Sequence, residues 1–326
     1  MNLTSILALF ISGVALLLIS SRLLVEVSKQ LAEKWKLSPL FISLVLVSLG
    51  TNLPEFTVLI SSLLSGDAGL AMGNVVGSNI SNITLIFGAG IILHSPKIGT
   101  VKTQKNNLLM LLLTVIFVAM EFLPIHRLIK GITLLIFLFG FIVYEYSLAK
   151  YGQLHEDKNL FEKIEDKIED TTDDVFNQGG SILISVLAIV GAIFGLGVGS
   201  DLIVGSVNQL ATLLNISTTL IGITLVATTT SLPEMITIII AGAKKEDKIV
   251  VGTLIGSNIY NLAMFVPILQ FSPYNIGLSN SDLIYLLFSV CFFAYVIISS
   301  KGKRVPKMYG AVSIAIFIFF LITSFS

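Results

Sequence analysis

Residues 50–82 read GTNLPEFTVLISSLLSGDAGLAMGNVVGSNISN, and residues 229–261 read TTSLPEMITIIIAGAKKEDKIVVGTLIGSNIYN. The two stretches align without a gap at an offset of 179 residues, and 11 of the 33 aligned positions are identical. Most identities fall in L-P-E near the start and in G-S-N-I near the end. Such self-similarity indicates an internal duplication, so the chain is predicted to contain two related halves.

The chain around both stretches is strongly apolar. Hydrophobic residues make up 54% of its 326 positions and charged residues only 12%, whereas a soluble domain carries about 25% charged residues. A membrane helix needs about 20 mostly apolar residues, and charged or Gly/Pro breaks divide this chain into ten such runs. They lie near 4–26, 38–64, 70–94, 106–123, 129–149, 180–206, 216–242, 249–271, 281–299 and 308–325. The predicted fold class is an all-α membrane protein with ten transmembrane helices.

The basic residues predict the orientation of these spans. If the N-terminus lies outside, 18 of the 20 Lys and Arg residues fall in cytoplasmic segments, as the positive-inside rule requires. These segments are 22–36, 97–105, 150–179, 244–248 and 301–307. With five spans in each half, both termini would be extracellular and the halves would be inverted repeats. We expect the first five-helix repeat at residues 1–149 and the second at 180–326.

The segment between the halves, residues 150–179, is the one long hydrophilic stretch. Its part from 150 to 174 carries nine acidic residues against four lysines. We interpret the segment as an acidic, partly helical cytoplasmic linker. A cation-sensing regulatory loop is the alternative, although the segment lacks the ligand spacing of an EF-hand.

Each half places one glutamate inside an apolar span. Glu55 and Glu234 are aligned in the duplication, and neither span contains Lys or Arg. An uncompensated carboxylate at the bilayer centre costs from about 2.5 to more than 10 kcal/mol, so a proton or a metal cation must neutralise each one. Protonated glutamates that only pack helices are the alternative, but the duplicated placement favours an ion site near the midplane, between the halves.

The residues beside the glutamates indicate the kind of ion. Pro54 and Pro233 lack an N–H and crowd the carbonyl four residues earlier, so each is expected to loosen the preceding turn and to free carbonyl oxygens. Nearby hydroxyls and amides add oxygen ligands, which suit a hard cation such as Ca²⁺. The three histidines lie at span ends or in loops, and Cys291 is the only cysteine, so no softer metal site is indicated. We interpret the regularly spaced glycines as helix-packing residues; these are Gly73, Gly77, Gly252 and Gly256.

The motifs G-T-N-L-P-E with V-G-S-N-I-S-N, and T-T-S-L-P-E with I-G-S-N-I-Y-N, resemble the two alpha-repeats of the calcium/cation antiporter superfamily, especially its prokaryotic sodium/calcium exchangers. The alpha-1 motif would span 48–82 and the alpha-2 motif 227–261. The resemblance implies that the second, third, seventh and eighth spans form an ion-binding core, past which the first and sixth slide. It implies that calcium binds to Thr51, Glu55, Thr230 and Glu234. It implies that sodium binds to Ser48, Asn52, Ser78, Asn82, Ala227, Ser231, Ser257 and Asn261, with Ala227 contributing only its backbone carbonyl.

Three positions depart from the family pattern. Asn52 replaces the usual Ser and Thr229 the usual Gly, while Asn261 stands where many prokaryotic and potassium-dependent members have Asp. The last departure removes a third carboxylate, which argues against potassium dependence and against a proton bound at that position. The larger amide of Asn52 would alter sodium occupancy.

The function predicted from these features is secondary active antiport of Na⁺ against Ca²⁺ by alternating access, in the direction of Ca²⁺ efflux across the cell membrane. A calcium/proton exchanger is the alternative, although such relatives carry G-N-x-x-E without the proline. A cation channel is a further alternative. No motif of a membrane enzyme is visible, and no cofactor is expected. The expected partners are the lipid bilayer and inorganic cations, with no nucleic acid and no obligatory protein partner.

Overall fold

The computed structural model describes residues 3–34, 38–64, 66, 68–165, 182–213, 230–274 and 278–324. Within these ranges the chain is helical, and the only β pairing is an isolated bridge between Lys97 and Arg304. The helices are α1 (Leu3–Lys34), α2 (Pro39–Thr51), α3 (Leu53–Leu64), α4 (Ala68–Ser81), α5 (Phe87–His94), α6 (Val101–Phe122), α7 (Arg127–Glu165), α8 (Ile182–Leu213), α9 (Leu232–Ala243), α10 (Asp247–Tyr260), α11 (Val266–Phe271), α12 (Asn280–Ser300) and α13 (Lys307–Ser324).

The described helices fit a multi-pass membrane protein. Seven stretches are long and apolar enough to cross a membrane, or eight if the bent pair α2–α3 is one span. The apolar helices α9 and Lys307–Thr323 are shorter, and the predicted number of ten counts both of them. The fold class is therefore all-helical, as predicted. The helix α7 runs on to Glu165, beyond the predicted span end at 149, which confirms that the start of the linker is helical.

The centre of the molecule is formed by the two segments that carry the G-S-N-I motifs. The buried share of an 18-residue window is 83% within Ala71–His94 and 94% within Asp247–Phe271. It is only 22% within Leu3–Ser28 of α1. Each of the two buried stretches contains one π-helical segment, Asn82–Ile86 and Asn261–Phe265. These segments begin at aligned positions of the duplication, since the offset is again 179 residues. The sequence repeat is therefore also a repeat of local backbone structure.

Two of the helices form a layer of their own beside this core. α1 packs along α8, and a Cβ atom on Gly13 would lie 2.8 Å from the carbonyl oxygen of Gly199. Leu17, Leu24 and Leu196 belong to an apolar cluster between the two helices, separate from the main core. The small residues at the crossing let the two backbones approach closely, as in other membrane helix pairs.

The glycine interpretation is confirmed for the second half. A Cβ atom on Gly256 would lie 2.6 Å from the carbonyl oxygen of Leu44, and one on Gly252 would lie 3.1 Å from that of Leu40. Both glycines therefore bring α10 against α2. Gly73 is exposed, and no atom of the described residues lies within 4 Å of its Cβ position. The residues that align with Leu40 and Ser43, which pack against Gly252, are 219 and 222 and lie outside the described residues, so packing at Gly73 and Gly77 stays a prediction.

Candidate cation-binding site

The two proline–glutamate motifs each begin a helix. The chain bends by 41° between α2 and α3, and Asn52 at the break has φ −79° and ψ 4°. Ser231, its aligned partner before α9, has φ −86° and ψ 9°. The peptide N–H of Phe56 donates to the carbonyl of Asn52 at 3.0 Å, and that of Met235 to Ser231 at 3.1 Å. The predicted loosening at the proline is confirmed in the first half.

The break puts each glutamate in the first turn of its helix. Glu55 is the third residue of α3, and Glu234 is the third residue of α9. Both side chains are completely buried. The N-terminal end of a helix carries a partial positive charge that stabilises a nearby carboxylate by about 0.3–1 kcal/mol. That is small beside the cost of burying an anion in a membrane protein, so each carboxylate still needs a proton or a metal cation to neutralise it.

The two halves meet at these glutamates. The Ser231 hydroxyl donates to Glu55 Oε1 at 3.1 Å, although the two residues are 176 positions apart. The Ser78 and Thr230 hydroxyl oxygens lie 3.5 Å apart, which is a second contact between the halves. Glu55 and Glu234 therefore belong to one buried group that both halves build. Two ionised carboxylates in such a group would repel each other, and a cation between them would relieve that repulsion.

Further hydroxyls surround Glu234 and the break. Ser257 donates to Glu234 Oε1 at 3.5 Å, and the Thr51 hydroxyl also lies beside this carboxylate. The Ser48 hydroxyl is turned differently, because it donates to the backbone carbonyl of Ser43 at 2.7 Å. Ser48 is therefore buried next to the group without a hydrogen bond to either glutamate.

The remaining predicted ligands are amides. Asn52, Asn82 and Asn261 are completely buried. The Asn261 amide donates to Asn79 Oδ1 at 3.4 Å, which joins the two halves again. Ala227 lies outside the described residues. All described members of the predicted site are buried, and side-chain contacts join Ser231 to Glu55, Ser78 to Thr230 and Ser257 to Glu234.

Several polar atoms of this group lack a hydrogen-bond partner within the described part of the chain. They include Glu55 Oε2 and Glu234 Oε2, both side-chain polar atoms of Asn52 and Asn82, and Asn261 Oδ1. Buried polar atoms are rarely left unpaired, because each one costs free energy. Carboxylate and neutral amide oxygens are the ligand types that a hard cation such as Ca²⁺ accepts. The residues present therefore fit a hard cation as substrate.

Sequence reasoning missed two buried asparagines. Asn74 Oδ1 accepts a hydrogen bond from the Thr230 hydroxyl at 3.3 Å, and Asn79 accepts one from Asn261. Asn79 aligns with Asn258 in the duplication, which was an available signal. Asn74 aligns with Thr253, so repeat identity offered no signal there. Its position one turn before Ser78 on α4 was the only indication.

Known proteins resemble this chain over most of its length. A family model described as "Sodium/calcium exchanger protein" matches residues 5–148 and 184–326. An uncharacterized membrane protein of Methanocaldococcus jannaschii is 32% identical over 253 residues, which are 78% of this chain and 77% of that protein. The sodium/calcium exchanger MaX1 of Methanosarcina acetivorans is 26% identical, with 96% of each chain covered.

A solved structure gives the same result for the fold. The sodium-calcium exchanger NCX_Mj, soaked with zero Na⁺ and Ca²⁺, superimposes on this chain with a TM-score of 0.78 at 27% identity, covering 100% of both chains. The family match spans both halves of the duplication and includes every described residue of the buried group. The chain belongs to the sodium/calcium exchanger protein family, and it is therefore a membrane antiporter of inorganic cations.

Proposed function

We propose that this protein exchanges Na⁺ for Ca²⁺ by alternating access and moves Ca²⁺ out of the cell. The observation that carries the proposal is the pair of completely buried glutamates, one from each half. Ser231 of the second half donates to Glu55 of the first, so the two halves contribute to one group. The described ion pairs of the chain involve other acids, namely Glu26, Glu121 and Glu145.

The proposed ligands follow the two sets that the family resemblance implies. Calcium binds between the two glutamates and the two threonines of the aligned motifs. Sodium ions occupy neighbouring positions that the serine and asparagine side chains provide. The calcium set is Thr51, Glu55, Thr230 and Glu234, and the sodium set is Ser48, Asn52, Ser78, Asn82, Ala227, Ser231, Ser257 and Asn261. The burial of the described members and their unpaired oxygens support this assignment.

The charge of the site explains why transport would be exchange. With both glutamates ionised, the empty site carries a charge of about −2, and an occluded state that encloses this charge in a low-dielectric region is costly. One Ca²⁺ neutralises the site, and so do several Na⁺ together. Only loaded forms would then cross between the two orientations. Sodium entering along its gradient would in this way drive calcium outward.

The proposed architecture is ten spans in two inverted repeats, residues 1–149 and 180–326, joined by the cytoplasmic linker 150–179. Both termini lie outside the cell membrane. The matched breaks at Asn52 and Ser231 and the matched π-helical segments support the repeat. The distribution of Lys and Arg supports the orientation.

The proposed moving part is the α1–α8 layer. Its apolar cluster also includes Val47 of α2, and the Ser21 hydroxyl of α1 donates to that of Thr237 on α9 at 3.1 Å, so a shift of this layer would act on the helices that carry the glutamates. α8 also passes directly beside the helix break, because a Cβ atom on Gly50 would lie 2.5 Å from the Ile193 side chain. A shift of α8 would therefore change access to the carboxylates on one side of the membrane.

The driving ion is tested with the purified full chain in liposomes. Vesicles loaded with Na⁺ and diluted into Na⁺-free buffer with ⁴⁵Ca²⁺ should accumulate label, and vesicles loaded with an impermeant organic cation should not. A second set of vesicles, with an acidic interior and no Na⁺, tests the alternative that the protein exchanges calcium for protons. Uptake that follows the pH gradient and ignores Na⁺ would refute Na⁺ coupling.

A further inference from the structure

The helix α1 of the α1–α8 layer is joined by a buried hydrogen bond to one of the two helices that carry a glutamate. The Ser21 hydroxyl of α1 donates to the Thr237 hydroxyl of α9 at 3.1 Å, and both side chains are completely buried. Thr237 lies one turn after Glu234 on α9, and Ile236 of the same helix packs against the apolar cluster of the layer. The layer is therefore fastened to α9 close to Glu234.

A second polar contact joins the same two helices nearer their ends. Glu26 of α1 forms an ion pair with Lys244, the residue that directly follows α9. Glu26 is also paired with Arg22 of its own helix at 3.0 Å. The side chains of Glu26 and Lys244 are 43% and 32% exposed. An ion pair this exposed contributes little to folding, but it can bias an equilibrium between two arrangements of similar free energy.

Both contacts depend on the register of α1 along α9. From Ser21 to Glu26, and from Thr237 to Lys244, the two chains run toward the same end of the bundle, so the contacts follow each other along one seam. A hydrogen bond is lost when its heavy atoms are more than about 3.5 Å apart, whereas one helical turn rises by about 5.4 Å. A slide of α1 along α9 by one turn would therefore break both contacts.

The other half of the duplication lacks the charges for such an ion pair. At the offset of 179 residues, Glu26 aligns with Gly205 and Lys244 with Ser65. Neither of these residues can form a salt bridge. If the two orientations of the transporter exchange the roles of its halves, the ion pair stabilises one orientation and has no counterpart in the other.

We propose that Ser21–Thr237 and Glu26–Lys244 form a latch between α1 and α9, which must open in each transport cycle and which biases the protein toward the arrangement seen here. The latch rests on the proposed function, because it assumes that α1 slides during alternating access. None of its four residues belongs to the calcium or the sodium set. It therefore acts on the movement between orientations and leaves the binding of the ions to the buried group.

Locking the seam tests whether it must open. In a Cys291→Ser background, Ser21→Cys/Thr237→Cys places two thiols where the hydroxyl oxygens lie 3.1 Å apart. Oxidation with copper phenanthroline should stop Na⁺-driven ⁴⁵Ca²⁺ uptake by this protein in liposomes, and dithiothreitol should restore it. The oxidised protein should still bind Ca²⁺. The two single-cysteine variants are the controls and should keep their uptake after the same oxidation.

The rate of disulfide formation then tests the ion pair, because it reports how often the latch is closed. In the Ser21→Cys/Thr237→Cys background, Glu26→Gln should slow disulfide formation by up to about fivefold, the range for an exposed ion pair. The exchanged pair Glu26→Lys/Lys244→Glu should restore the rate toward that of the unmodified pair. Glu121→Gln is the matched control, since the ion pair of Glu121 with Lys130 joins α6 to α7, outside the layer. It should leave the rate unchanged.

The latch is refuted if no disulfide forms, or if the oxidised double-cysteine protein transports as fast as the reduced one, which would show that α1 and α9 move together. An unchanged rate of disulfide formation in the Glu26→Gln variant would refute the role of the ion pair. A wild-type protein without Na⁺-driven uptake would instead refute the proposed function, so the failures can be told apart.

Discussion

Glu55 and Glu234 combine complete burial with a position at the start of a helix. Burial makes an ionised carboxylate costly, while the free N–H groups of the first helical turn lower that cost only slightly. A proton or a bound cation can supply the missing neutralisation, and the proposed function assigns this role to a cation. The motif L-P-E accounts for the position of each glutamate, because the proline interrupts the helix and the glutamate follows in the first turn of the next one.

Neutral replacement of either glutamate should stop transport. Glu55→Gln and Glu234→Gln each keep the size of the side chain but remove one of the two charges that bind Ca²⁺, so Na⁺-driven ⁴⁵Ca²⁺ uptake should fall to the level of empty liposomes. Glu145→Gln is the matched control, because Glu145 is also completely buried but lies 4.0 Å from Lys102. It should retain uptake. Full activity of either site variant would contradict the assignment.

The partners of these residues could be predicted less well than the residues themselves. The repeat pointed to Glu55, Glu234, Thr51 and Thr230 as a group. It could not show that Ser231 donates to Glu55, because that contact depends on how two helices from different halves cross. Asn74 was not predicted because it aligns with Thr253 and not with another asparagine. A single buried asparagine produces no recognisable sequence pattern.

At the scale of helices, the closest packing occurs where α10 meets α2. A Cβ atom on Gly256 would lie 2.6 Å from the Leu44 carbonyl oxygen and would also collide with the Ser48 hydroxyl. Backbone atoms cannot move away as a flexible side chain can, so the helices would have to separate. The small-residue spacing predicted this contact correctly for Gly256, whereas the segment that would meet Gly73 by the repeat lies outside the described residues.

A second glycine gives a direct comparison. Gly256→Ala should lower the thermal unfolding midpoint of the detergent-purified protein, since the two backbones would have to separate. Gly140, exposed on α7, is the control: Gly140→Ala meets no atom of the described residues within 4 Å, and alanine is favoured over glycine inside a helix by about 1 kcal/mol. This control should unfold at the same temperature or slightly higher. Equal destabilisation by both substitutions would contradict the packing described here.

The π-helical segments are the elements that the sequence could not reveal. Two of the three in the described residues begin at Asn82 and Asn261, two residues after the last residue of each G-S-N-I motif, and the third, Ser43–Val47, lies within α2. Such segments often occur at functional sites, because the extra residue re-aims the side chains of one turn. Their one-residue shift in register is too small a change to appear in a pattern of apolar residues, whereas the helices themselves are long and periodic enough to be predicted.

For the whole molecule, the all-helical fold and the family were predictable from composition and from the two motifs. The orientation in the membrane is a separate prediction that rests on Lys and Arg. In a Cys291→Ser background, a cysteine at residue 326 should react with a membrane-impermeant maleimide on intact cells. Asn159→Cys in the linker should react only after permeabilisation. The reverse pattern would show that the protein has the opposite orientation.

The central claim is that two glutamates, one from each half, form a site that crosses the membrane only when it is loaded. The most direct test is release of trapped ⁴⁵Ca²⁺ from liposomes that contain the protein, diluted into choline, Na⁺ or unlabelled Ca²⁺ at the same ionic strength. The label should stay inside in choline and leave in either Na⁺ or Ca²⁺, because the empty site cannot return. Rapid loss of label into choline would contradict obligatory exchange and indicate a channel or a uniporter.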